Sequence, residues 1–326
     1  MQFLTRRALL VATAAAALSA APLSWAQSDS TPIRILVGFS PGGGTDLLAR
    51  LMAQNASKVL GQTVIVENMP GAGGSIAANA LHSAAPNGQN YMMANNAVPL
   101  FQTLVFGDRN RWEFAKDFVP VAGLTEYPLA LAVPTKLGVN NIAEWLDYVR
   151  KNPANATFGN IGAGGMTHML GDALGKVVEV PLTPIPYKGA TPMITDLVGG
   201  HIPAAIGLLD NMMSFHDAGT VKVIAIFSPE RSPLIPDIPT FKEQGINVLD
   251  GSAWQAIWAP AGTPQTEIDK MANALKEVLN DPQVQSEMRG TLMVEPVFRP
   301  GTEVAKLQAQ ELAEWGPVIE ASGFQP

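Results

Sequence analysis

Cysteine is absent from all 326 residues. The chain therefore has no disulfide framework and no thiol for lipid attachment, and must be held together by its own core. The four histidines, His82, His168, His201 and His216, show no metal-ligand spacing, and there is no cysteine to complete a zinc site. Charge is sparse, at 15% of residues against 47% hydrophobic, which is a globular composition. Basic residues are the scarcer sign, and the formal net charge is −7. That balance argues against nucleic acid or an anionic membrane as partner. Any anionic ligand has to be held by local donors, because the global field repels it. Beyond the first 26 residues no stretch offers the roughly 20 uncharged apolar residues that a membrane helix needs.

What is present begins with an export signal. Arg6 and Arg7 precede an apolar run from Ala8 to Ala20, and Ser24-Trp25-Ala26 forms a small-x-small cleavage site. The paired arginines suit either the twin-arginine or the general secretory route. Removing residues 1–26, which hold those two arginines and no acid, takes the net charge from −7 to −9. The remaining 300 or so residues are enough for two domains.

Ile33–Val37 is a β-rich run that stops at a Gly/Pro cluster and gives way to a helical pattern in which Leu48, Leu51 and Met52 share a face. Gly61 is the predicted helix stop. A strand at Thr63–Glu67 meets a second glycine-rich loop, Pro70 to Gly74; Ser75–Ala85 reads as a helix, and a third strand lies near Tyr91–Ala94. This β-α-β-α-β order predicts a parallel sheet covered by helices. It restarts with Leu129–Val133, and Ala156–Phe158 enters a third glycine-rich loop, Gly159 to Gly165. A strand near Pro184–Tyr187, a helix over Thr191–Leu197 and a strand at Val221–Phe227 follow. From Pro264 the chain is mainly helical.

Glycine-rich strand-to-helix loops bring backbone N–H groups at a helix N-terminus close to an anion, which suits a carboxylate. Any one of them could equally be glycine allowing a tight turn. No loop is a nucleotide motif: Gly44 is followed by Thr45-Asp46, not Lys-Ser/Thr, and the dinucleotide pattern fails at Leu47 and Thr167. No cofactor is expected. Gly38-Phe39-Ser40-Pro41-Gly42 fits the Gly-x-Ser-x-Gly of a serine hydrolase, but Pro41 has no N–H for an oxyanion, so Ser40 reads as a lip residue. Asp46 either caps the first helix or contacts a donor on the ligand. His168, within a turn of the third loop, either binds or braces it. The tryptophans 112, 145, 254, 258 and 315 read as core or lobe-contact residues.

Taken together, these segments resemble the periplasmic receptors of tripartite tricarboxylate transporters, also called the Bug family. The resemblance is carried, in order, by Phe39 to Asp46 with Ala49-Arg50, Leu60-Gly61-Gln62, Val66-Glu67-Asn68 and Pro70 to Gly74. It continues through Asp117 to Val121, Pro186 to Gly189, Asp196 to Gly200, Arg231-Ser232-Pro233, Pro236 to Thr240 and Ala259 to Pro264. It implies a two-lobed α/β fold of the type II binding-protein kind, each lobe a mostly parallel sheet flanked by helices, with the ligand cleft between. Residues 31–126 with 253–326 would form the first lobe and 127–252 the second. The implied function is capture of a small di-, tricarboxylic or aromatic acid in the periplasm by a monomer that delivers it to integral-membrane transporter subunits. A sensor subunit for a signalling receptor is the other reading, and a secreted hydrolase using Ser40 the remote one.

Carried over by position, Phe39, Ser40, Gly43, Gly44, Asp46, Asn95 and Asn96 line the first lobe. Asn160, Gly164, Gly165, His168 and Tyr187 face them. The family usually has serine where this chain has Asn160 and Gly165, proline at Ser40, and aspartate at Gly207. Loss of the acceptor at Gly207 points to an apolar or longer acid. The acid would dock on the first lobe's helix N-termini and the second lobe would close over it.

Overall fold

The computed structural model describes residues 31–187 and 189–323. The signal segment 1–26 and Lys188 lie outside the described residues. The first strand, β1 (Ile33–Val37), feeds through the first glycine-rich loop into α1 (Gly44–Leu60). That helix stops at Gly61, whose φ of 63° is left-handed, as the sequence predicts. β2 (Val64–Asn68), α2 (Ser75–His82) and β3 (Asn90–Asn95) complete the β-α-β-α-β unit. β1 lies between β2 and β3 and runs parallel to both, with Ile35 opposite Val66 on one side and Tyr91 on the other. Leu48, Ala49 and Met52 of α1 pack on this sheet in the same apolar cluster as Ile35 and Tyr91.

A π-helical segment, Ala97–Gln102, and short turns lead into β4 (Phe118–Tyr127). Pro128 then carries the chain to a second sheet. Its elements are β5 (Leu129–Pro134), α3 (Ile142–Lys151), β6 (Thr157–Ile161), α4 (Met166–Val177), β7 (Thr183–Tyr187), α5 (Ala190–Gly199), β8 (Ala205–Leu208), α6 (Asp210–Asp217) and β9 (Val221–Phe227). The chain returns to the first sheet at β10 (Ala253–Pro260) and ends with α7 (Gln265–Asn280), α8 (Pro282–Gly290), β11 (Glu295–Pro300) and α9 (Gly301–Ser322).

The strand orders are β11-β4-β10-β3-β1-β2 and β7-β6-β8-β5-β9. Each sheet is mixed: the βαβ half is parallel, while β4, β10 and β11 in one sheet, and β5 and β9 in the other, join antiparallel. The antiparallel strands are mostly the ones that cross between sheets. One pair carries the chain out and the other brings it back, so neighbours within a sheet run in opposite directions. The expectation of mostly parallel sheets therefore describes only the βαβ halves. Apolar packing is continuous from Ile35 and Ile257 in the first sheet to Leu131 and Phe158 in the second. The five tryptophans read as core are all buried. Among the described residues no helix is long and apolar enough to cross a membrane.

Candidate functional site

All three glycine-rich loops leave the C-terminal ends of strands, where open α/β sheets bind ligands. The first two are packed backbone to backbone: a Cβ added at Gly38 would lie 2.7 Å from Gly74 Cα, so only glycine fits there. Between the two lobes lies a cavity of about 640 Å³, larger than the others described, at about 450 to 490 Å³. The first lobe contributes Phe39, the second loop at Ala72 and Gly73, Ser75 and Asn79 of α2, and Asn95 and Asn96 at the end of β3. The second lobe closes the opposite wall with the third loop, Gly162 to Thr167, and with Leu129 and Leu208.

Of the residues predicted for the site, Phe39, Asn95, Asn96, Gly164 and Gly165 meet at this cavity. Asn95 Oδ1 is buried without a protein partner, and so is Asn79 Oδ1. Asn96 is committed, donating its amide to Ser252 O at 3.2 Å. The third loop opens α4 at Gly165 with no side-chain cap, so the first-turn amides of α4 belong to residues on the cavity wall. Ile161 N–H donates to Thr167 Oγ1 at 2.9 Å, which closes the loop on itself.

The remaining predicted residues sit elsewhere. Asp46 is buried, and both its oxygens are used within the loop: it accepts from Gly42 N–H at 2.8 Å, Arg50 Nε at 3.0 Å and Asn68 Nδ2 at 2.8 Å. Burial alone would push its carboxyl up, but the bonds from Arg50, Gly42 and Asn68 outweigh it and hold the group below the usual carboxylate range. His168 accepts from Gly164 N–H through Nδ1 at 2.9 Å, with Nε2 3.5 Å from Asp172. It thus braces the third loop. Tyr187 donates to Asp196 Oδ2 at 2.8 Å, and burial together with that carboxylate pushes its phenol up to about 12. Asn160 is fully buried on β6, behind the loop, and neither amide atom has a protein partner. At Gly207 an added Cβ would meet Met193 Cε at 2.9 Å and Met212 Cε at 3.0 Å, so methionine ends fill the space an aspartate would need.

Ser40, Gly43 and Gly44 lie outside the cavity lining, and the N-terminus of α1 faces a carboxylate of the protein itself. A Cβ built on Gly44 would lie 3.6 Å from Asp210 Oδ2, at the start of α6 in the other lobe. Burial pushes Asp210 up to about 6, against the bonds from Asn211 and its own backbone.

Sequence reasoning passed over one wall of the cavity, formed by Phe101, Gln102, Phe106, Arg109, Asn110 and Arg111. Gln102 accepts from Ser75 Oγ at 2.7 Å through its side chain and from Asn110 Nδ2 at 2.8 Å through its carbonyl. A readable signal existed: two arginines within three residues, in a chain poor in basic groups.

Two α/β lobes joined by two crossovers, with a cavity between strand ends, define the class of two-lobed solute-binding proteins. The pattern of the tripartite tricarboxylate transporter family receptor matches residues 48–324. A protein of Cupriavidus necator from the gbd 5' region is 32% identical over 99% of this chain and 97% of its own length. MatC from Rhodopseudomonas palustris, solved with bound malate, superposes with a TM-score of 0.77 at 29% identity, covering 89% of this chain and 99% of that one. Rpa4515 of R. palustris, solved with adipate, gives 0.81 at 27% identity over 91% and 99%. The chain belongs to the tripartite tricarboxylate transporter receptor family.

Proposed function

We propose that this chain captures a small carboxylate in the cavity between its lobes, in the periplasm, and hands it to integral-membrane subunits of a tripartite tricarboxylate-type transporter. The observation that carries the reading is the cavity wall itself: it combines the uncapped start of α4 with Asn79 and Asn95, and among the described residues it holds no aspartate or glutamate. Helix N-termini and amide side chains stabilise an acid, and an acidic lining would oppose it. The malate and adipate held by the two R. palustris relatives support the same class of ligand.

In this reading Phe39, Asn95, Asn96, Gly164 and Gly165 contact the ligand, and Asp46 and His168 hold the loops in shape. The lobes would divide at residues 126 and 252, and export would release a mature chain beginning at Gln27. Charge-assisted bonds of about 1.5 to 3 kcal/mol each make two or three of them sufficient for micromolar binding after the cost of association. Capture and release need no bond-breaking step.

A thermal-shift screen of mono-, di-, tricarboxylic and aromatic acids tests this. A cognate acid at about a hundredfold excess over its Kd should stabilise the protein by about 2.7 kcal/mol. If sugars or amines shift the transition and no acid does, the carboxylate reading is lost.

A further inference from the structure

Among the described residues lining the cavity only two carry charge, Arg109 and Arg111, and both are cations in a chain of net charge −7. Their side chains are exposed, which puts them at the rim. The backbone beneath them is held from both sides. Asn110 is tied to Gln102 O at 2.8 Å, and Trp112 is buried in an aromatic cluster with Phe114 and Phe118, at ring distances of 5.6 and 5.8 Å. Among the described residues Arg111 forms no ion pair, although Glu113 and Asp117 lie on the same face of the segment. Phe39, Phe106, Ile161 and Met166 give the cavity an apolar waist.

A ligand that fits such a space has an acid at one end and an apolar middle. A guanidinium has donors and no acceptor, and matches carboxylate geometry with two parallel bonds. We infer that Arg109 and Arg111 are specificity-determining residues that take a second anionic group on the ligand, so that the receptor selects diacids with an apolar middle over monoacids of the same length. The inference rests on the carboxylate reading above. It adds a fixed positive charge that the family resemblance did not assign to the site, and it assigns the distal group to the first lobe instead of to the Gly207 region.

The test is calorimetric titration of the mature chain with two matched pairs, adipate with hexanoate and terephthalate with benzoate. Wild type should bind the diacid of at least one pair tighter by about tenfold or more. In Arg109→Ala/Arg111→Ala that ratio should fall towards one, and in Arg109→Lys/Arg111→Lys part of it should return. The melting temperature of each unliganded variant checks that the fold is intact. The inference is overturned if the monoacid binds wild type as tightly as its diacid, or if the preference survives in the double alanine variant. Failure of all four acids to bind overturns this inference alone, whereas the carboxylate reading falls only if no acid of the thermal-shift screen binds, so the two failures are told apart.

Discussion

Asp46 shows how a residue read for contact with a ligand is instead used up by its own loop. Its carboxylate ties Gly42, Arg50 and Asn68 together, and so ties α1 to β2. Asp46→Ala removes those bonds from a buried position and should cost about 1 to 3 kcal/mol, read by chemical denaturation at pH 7. Because the folded-state pKa is depressed, this contribution is present above the unfolded value and is lost as pH falls through the folded one. Glu311 has the opposite sign. Burial pushes its carboxyl up to about 7, even though Trp254 Nε1 donates to it at 2.8 Å. The folded state then holds a proton the unfolded chain has released, so stability falls as pH rises from about 4.5 to about 7. Glu311→Gln keeps an acceptor for Trp254 and removes the titration. Its melting temperature should drop less than that of wild type between pH 5 and pH 8, and equal drops would refute the assignment.

The third loop depends on how α4 sits on β6. A Cβ added at Gly171 of α4 would come within 2.0 Å of the Phe158 ring, which is fully buried. Gly171→Ala should therefore push helix and strand apart and destabilise by about 1 to 3 kcal/mol. Because α4 also carries the cavity wall at Gly165 to Thr167, affinity for any acid that stabilises wild type should drop with it. Titration of the variant with that acid checks the coupling. The first, second and third glycine loops, α1 with its stop at Gly61, and the C-terminal helices were all legible in the sequence. Their signals are local: a β-rich run, a glycine, then a 3.6-residue period. Strands β4, β8, β10 and β11 were not. β10 is buried at every position and so has no alternation to read, and β11 contains Pro296 and Pro300. Pairing with distant partners, such as Ala256 with Ala94 and with Gly123, is what makes β10 a strand.

For the molecule as a whole, capture between lobes predicts movement. An acid that raises the melting temperature should also reduce the radius of gyration measured by small-angle scattering, because closure expels water and brings the lobes together. Stabilisation without compaction would rule out hinge closure. Asp210, whose carboxylate would lie 3.6 Å from a Cβ added at Gly44, marks one edge where the lobes meet.

The β-α-β order of the glycine-loop halves, the family and the charge balance came from the sequence by itself, because each is written in neighbouring residues. Which loops share a cavity was decided only by the tertiary structure. Residues 72–75, 95–111 and 162–167 meet because two sheets, joined by antiparallel crossovers, bring their strand ends face to face. The same packing sets the Asp210 carboxylate beside the start of α1 and leaves Arg109 and Arg111 at the cavity rim. Neither placement follows from residue type or spacing, because both depend on contacts between segments some 50 to 170 residues apart.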